Sequence, residues 1–362
     1  MREVRVELGE RTYSIKIGAG LRHGLGQAVR SVCKADRAVI ITDSNVGPLY
    51  GDAALACMRD AGYACDLITV PAGESSKSLE QASPIYSRLG ELKIERTSPL
   101  VALGGGVVGD LTGFIAATWV RGIPFVQVPT TIEAAVDASV GGKTAVNHTA
   151  GKNMVGAFYQ PRLVLIDPEC FKTLEERDVR AGLAESVKHG MIRDAAFFEF
   201  HDANVDAILA IQPDVIELLL ERNVQIKAAV VAEDEREVSG VRAHLNFGHT
   251  AGHAIEAELG YALRHGECVG LGMIVAAQIA HLLKMTPPET VDRIASLLAR
   301  FKLPTTLDAP VEPERLWELM QHDKKVSAGK IRWVLTPRIG EVILRNDVSR
   351  RIVLESLDVL KP

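Results

Sequence analysis

Cysteine is scarce and never paired along this chain. Five occur in 362 residues, Cys33, Cys57, Cys65, Cys170 and Cys268. They are scattered and odd in number, and no C-x-x-C pair exists, so a reducing, cytoplasmic setting fits best. Long apolar runs are missing too: the longest, Val269 to Ala280, is too short to span a bilayer. Neither charge dominates. The net charge of −5 argues against a nucleic-acid surface or an anionic membrane as partner. There is no internal repeat and no low-complexity segment. The first residues alternate charged and apolar side chains, Arg2-Glu3-Val4-Arg5-Val6, which predicts an edge strand rather than a signal peptide.

What is present is an ordinary core composition, 47% apolar, in a chain long enough for two domains. Val39–Thr42, Leu67–Val70, Leu100–Leu103, Phe125–Val128 and Leu163–Ile166 each read as short buried strands. Helical stretches such as Tyr50–Ala61 and Leu79–Leu89 lie between them. This alternation predicts a Rossmann-like α/β N-terminal domain with a mainly parallel sheet over 1–170. From Thr173 to about Leu303 the signals are helical, with breaks at Gly190, Pro213, Gly240, Gly260 and Pro287. A mainly α-helical C-terminal domain over 171–362 follows, closed by a strand pair, Ile331–Thr336 and Glu341–Leu344.

Two clusters carry chemistry. His249 and His253 are four residues apart, so a helix presents both on one face, and His265 follows shortly after. Three of only ten histidines gathered among glycines point to a metal site, and imidazole suits zinc. The second cluster is Leu103-Gly104-Gly105-Gly106-Val107-Val108-Gly109-Asp110, where a buried strand runs into glycines and a helix. Such a turn lets backbone amides approach a pyrophosphate. The spacing departs from G-x-G-x-x-G, and a lone glycine turn is weak evidence. Asp43 ends a strand, where it reads equally as a ribose acceptor or a turn cap. Glu74 and Lys77 stand in a polar turn, and Asp137 precedes Gly141-Gly142-Lys143.

Taken together, the motifs resemble the 3-dehydroquinate synthase family from about residue 40 to 336. The stretches that carry the resemblance are PAGESSK, ALGGGVVGD, TWVRGIPF, VPTT, DASVGGKTAVNH, GKNMVGAFYQP, GLAESVKHG, DERE, LNFGHTAGHAIE, HGECVG and DKK. The resemblance implies a dehydroquinate synthase-like fold, bound NAD and a divalent metal, zinc or cobalt. It also implies conversion of 3-deoxy-D-arabino-heptulosonate 7-phosphate to 3-dehydroquinate and phosphate in the shikimate pathway, by transient oxidation, phosphate elimination, re-reduction and intramolecular aldol closure.

The same resemblance assigns residues. Glu185, His249 and His265 would hold the metal. Asp43, Glu74, Ser75, Ser76, Lys77, Gly106, Val107, Val108, Gly109, Asp110, Thr130, Thr131, Lys143, Lys152, Cys170, Phe171, Lys172 and Thr173 would hold NAD. Asp137, Lys143, Lys188, Lys227, Arg242, Asn246 and His253 would act on the substrate, with Asn153, Lys325 and Arg121 near its phosphate. Arg121 would serve the neighbouring subunit of a homodimer. Read from the residues alone, Glu185 and Lys188 form a simple ion pair within a helix. Ile132-Glu133-Ala134-Ala135 departs from the apolar run usual after Pro-Thr-Thr and brings a negative charge near the cofactor turn. An apparent extra residue separates DERE from Arg242. Two rivals share much of the pattern: another sugar-phosphate cyclase such as 2-deoxy-scyllo-inosose synthase, and a metal-dependent polyol dehydrogenase of the glycerol dehydrogenase type.

Overall fold

A computed structural model describes residues 1–308, 311–321, 326–327 and 330–362. The chain divides into two units. The first comprises Met1–Leu174 and Ile216–Ala232, the second Glu175–Val215 and Glu233–Pro362.

The first unit is built on a seven-stranded sheet. Its strands are β1 (Arg2–Val6), β2 (Tyr13–Ile17), β3 (Arg37–Asp43), β4 (Ala64–Val70), β5 (Leu100–Gly104), β6 (Phe125–Pro129) and, after a hairpin of β7 (Lys143–His148) and β8 (Gly151–Phe158), β9 (Leu163–Ile166). The order across the sheet is β1-β2-β9-β6-β5-β3-β4. Only β1 runs antiparallel to its neighbour, and it forms an edge as its alternation predicts. β5 and β6 are buried along their whole length, as strands covered on both faces must be. Period two splits the core. Ile40, Val101 and Val126 point to helices Leu25–Val32 and Asp52–Asp60, while Val39, Ile41 and Phe125 point to helices Leu79–Glu91 and Gly106–Thr118. Residues Ile216–Ala232 join this unit. Glu217 and Glu221 on that stretch ion-pair with Arg2 of β1.

The second unit is helical. Its long members are Glu176–Arg193, His249–Glu258, His265–Leu282 and Pro288–Arg300. An antiparallel pair, Trp333–Arg338 with Glu341–Arg345, lies near the end of the chain, its first strand two residues later than the sequence pattern suggests. Gly190 is not a break. It lies inside helix Glu176–Arg193, where a Cβ would come within 2.9 Å of the Phe198 amide nitrogen. That glycine marks close packing rather than a helix end. Among the described residues, no helix is long and apolar enough to cross a membrane.

Candidate active site

In the first unit, β5 delivers the chain into Gly105 and the helix Gly106–Thr118. Gly109 lets that helix ride on β6, because a Cβ there would meet Gln127 Oε1 at 2.6 Å. The amide of Thr130, at the end of β6, donates to Gly104 O at 3.0 Å. Its hydroxyl is buried and finds no partner among the described residues. An unpaired buried hydroxyl beside a glycine turn and a helix N-terminus suits a polar, anionic ligand. Gly106, Val107 and Val108 form the first turn of this helix.

Asp110, one turn in, pairs with Lys77 across the turn that carries Glu74, Ser75 and Ser76. Burial pushes the Asp110 carboxyl above the ordinary carboxylate value, with Lys77 pulling the other way. Asn147, to which the sequence reading gave no role, ties this region together. It donates to Glu74 Oε1 at 2.8 Å, its own amide donates to Lys77 O, and its side-chain oxygen accepts from the Asn153 amide at 2.9 Å. Asn153 itself has a left-handed φ of 56°. Lys143 and Lys152 stand exposed on the same hairpin. Lys227, 5% exposed on the helix Pro213–Glu233, donates to Asp137 Oδ1 at 2.7 Å.

Other positions show the ordinary structural work of their residue types. Asp43 Oδ1 accepts from the amides of Asn45 and Val46 at 2.8 and 2.9 Å, the turn cap anticipated as its alternative. Thr131 Oγ1 accepts from the Ala134 amide and so caps the turn Ala134–Ala138, just beyond half-buried Glu133. Cys170 and Phe171 are buried, Lys172 is exposed, and Thr173 Oγ1 bonds Tyr50 Oη at 2.8 Å. Burial pushes the Cys170 thiol up to about 12, which leaves it protonated and inert as a nucleophile. Val120 and Arg121 are consecutive non-glycine residues with left-handed φ, 43° and 68°. Such a pair costs roughly 1–3 kcal/mol per residue and persists only where its surroundings hold it. Arg121 is exposed on this strained turn.

In the second unit three helices converge. Glu185 and Lys188 lie on Glu176–Arg193, His249 and His253 on His249–Glu258, and His265 opens His265–Leu282. Glycine sets their spacing. A Cβ on Gly266 would sit 1.9 Å from Ala181 O, and one on Gly272 the same distance from Gly248 O. Only glycine permits such backbone approach. Arg177 forks onto both carboxylate oxygens of Glu267 at 2.7 Å, and Glu267 also accepts from the Arg264 amide at 2.8 Å. That clamp pins the start of the His265 helix to the helix carrying Glu185.

The convergence leaves one polar atom exceptional. Glu185 is 1% exposed; one oxygen pairs with equally buried Lys188, as the intrahelical ion pair requires. The other, Oε1, has no hydrogen-bond donor among the described residues. It lies 3.6 Å from His249 Nε2 and 3.8 Å from His265 Nε2. Ligands about 2.0–2.1 Å from one tetrahedral zinc stand roughly 3.3–3.5 Å apart, so both distances to Glu185 Oε1 are close to what a shared cation requires. His249 Nδ1 is directed at Phe247 O at 3.2 Å, which leaves Nε2 open toward Glu185. His253 is near enough to be a rival ligand, since the three histidines' ligand atoms all lie within 4.8 Å of one another.

Arg242 is 2% exposed in a 3-10 helix, Val241–Asn246, with Nη1 donating to Glu235 O at 2.5 Å. Its turn is folded around Asp234, another residue without an assigned role. The Asp234 carboxylate accepts from the amides of Val238, Ser239, Gly240 and Arg242. Burial acts to raise this carboxyl, but the amides outweigh it and hold it down at about 2. Because the segment is 3-10 and not α, positions 242 and 246 are rotated by about 120° instead of stacked. Asn246 is half-buried. Lys325 and its neighbour Lys324 lie outside the described residues.

Comparison with known proteins matches two family models, 3-dehydroquinate synthase N-terminal over residues 67–181 and 3-dehydroquinate synthase C-terminal over residues 182–326. A 3-dehydroquinate synthase of Symbiobacterium thermophilum is 49% identical over 98% of this chain and all of its own length. Among solved structures, a 2-deoxy-scyllo-inosose synthase complexed with carbaglucose-6-phosphate, NAD+ and Co2+ is 26% identical with a TM-score of 0.89, covering 98% of this chain and 99% of its own. The 2-epi-5-epi-valiolone synthase of Streptomyces hygroscopicus subsp. jinggangensis 5008, with NAD+ and Zn2+ bound, is 28% identical with the same TM-score, covering 98% of each chain.

Proposed function

The chain belongs to the 3-dehydroquinate synthase family, and we propose that its two units divide that family's chemistry between a nucleotide-holding glycine turn and a His-His-Glu metal centre. It is a lyase of aromatic amino acid and chorismate biosynthesis, converting the phosphorylated heptulosonate to 3-dehydroquinate and phosphate. Its cofactors are NAD and a zinc or cobalt ion. When bound, NAD accepts and returns a hydride and the ion polarises substrate oxygens.

The observation that carries this reading is the buried Glu185 Oε1, lacking a donor and facing two imidazole nitrogens. A buried carboxylate oxygen left without a donor is costly, and a cation held between it and the two imidazoles would satisfy it. Glu185, His249 and His265 hold the metal. Gly106–Asp110, Thr130 and Lys77 hold the nucleotide, supported by Asp43, Glu74, Thr131 and the Cys170–Thr173 turn. Lys188 and Lys227 are buried cations that offer charge to an anionic substrate, Arg242 and Asn246 take its carboxylate, and His253 holds or moves a proton. These residues orient the substrate and stabilise its charges. The expected result is phosphate release from the heptulosonate phosphate, with dehydroquinate formed and no accumulation of NADH. Steady NADH growth with glycerol, and no phosphate release, would assign the chain to the dehydrogenases instead.

We also infer a cytoplasmic homodimer in which Arg121, on its strained turn, reaches the phosphate end of the partner's substrate. Complementation tests it. Arg121→Ala and Lys188→Ala homodimers are each expected to be nearly inactive. A reassembled mixture creates heterodimers in which one site carries both lesions and the other none, so activity should return. No recovery, with heterodimers verified by differential tags, would confine Arg121 to its own chain.

A further inference from the structure

The helix His249–Glu258 presents a third polar group on the face that bears its histidines. His249, His253 and Glu256 stand at i, i+4 and i+7. Glu256 is only 8% exposed. Its Oε2 lies 3.4 Å from His265 Nδ1, while the other nitrogen of that ring, Nε2, lies 3.8 Å from Glu185 Oε1. One imidazole therefore bridges two buried carboxylates, one on each side.

We propose that Glu256 is a positioning residue of the metal centre: its carboxylate accepts the Nδ1 proton of His265 and so turns the Nε2 lone pair of that ring toward Glu185. The inference rests on the metal reading given above. The physical grounds are two. An imidazole offers an ion only the nitrogen that carries no proton, and a hydrogen bond at the far nitrogen decides which one that is. His265 opens its helix and is partly exposed, so the clamp between Arg177 and Glu267 holds its backbone without setting the rotation of its ring.

The probe is Co2+ alone, added to full-length protein stripped by a chelator. Affinity is read by chelator competition and ligand geometry by the visible d–d bands. Glu256→Ala is expected to bind Co2+ about 10–100-fold more weakly than the parent, with altered bands. Glu256→Gln keeps an acceptor oxygen and should recover part of that loss. Should the alanine variant fail to fold, Glu256→Met removes the acceptor while filling the space, and the same weakening is expected. Parent-like affinity and bands in Glu256→Ala or Glu256→Met would overturn the proposal, as would a glutamine variant no better than alanine. Two further arms separate its failure from that of the metal reading. If the parent takes up no Co2+, that reading falls and this one with it. If the parent binds, His249→Ala does not, and the Glu256 variants match the parent, only the role of Glu256 is lost.

Discussion

His249→Ala is expected to lose bound metal and turnover together. The ion would keep only Glu185 Oε1 and His265 Nε2 of its three proposed ligands, and a shell missing one imidazole binds far more weakly. The loss of affinity should exceed the roughly 10–100-fold typical of removing an outer partner. Elemental analysis per chain, beside kcat, is the measurement. Full metal content in this variant would refute the ligand assignment. His253→Ala distinguishes the rival triad of three histidines. If Glu185 is a ligand and His253 handles a proton, that variant keeps its metal and loses turnover. If His253 is a ligand, both disappear.

Arg242→Lys is expected to lower kcat/KM by roughly 10–100-fold, although the charge is kept. A guanidinium fork meets a carboxylate with two parallel hydrogen bonds, and an ammonium makes a single point contact. Bonds to charged groups contribute about 1.5–3 kcal/mol each, so losing one from a buried site is enough for an effect of that size. Lysine also cannot reproduce the bond from Nη1 to Glu235 O that holds the side chain in place. The turn itself should survive, because it is folded on the Asp234 carboxylate through backbone amides. With its carboxyl held down at about 2, the stability that Asp234 adds is present above the ordinary carboxylate range. It is lost only as pH falls toward that value. Unchanged kcat/KM in Arg242→Lys would remove the carboxylate from the reading and favour a cyclase of carboxylate-free sugar phosphates.

By itself the sequence determined the parts governed by local periodicity and local sterics. The buried strands could be read because β3, β5, β6 and β9 are short, largely apolar runs with buried centres. The glycine turn after β5 and the two histidines four residues apart were legible for the same reason: backbone geometry over a few residues dictates them. Tertiary structure alone decided the rest. Nothing local in Lys143–Phe158 announces a hairpin whose Asn147 joins Glu74, Lys77 and Asn153. Nothing local shows that Ile216–Ala232 packs with the first unit, or that Gly190 and Gly266 serve close contact with Phe198 and Ala181. The grouping behind the proposed metal set is of the same kind. Glu185 Oε1 meets His249 and His265 only because the helix Glu176–Arg193 is drawn against two successive helices much further along the chain, at glycine contacts and by the clamp of Arg177 on Glu267. Propensity acts over a turn or a strand. Which nitrogen faces which oxygen is set by packing between segments whose separation along the chain carries no local signal.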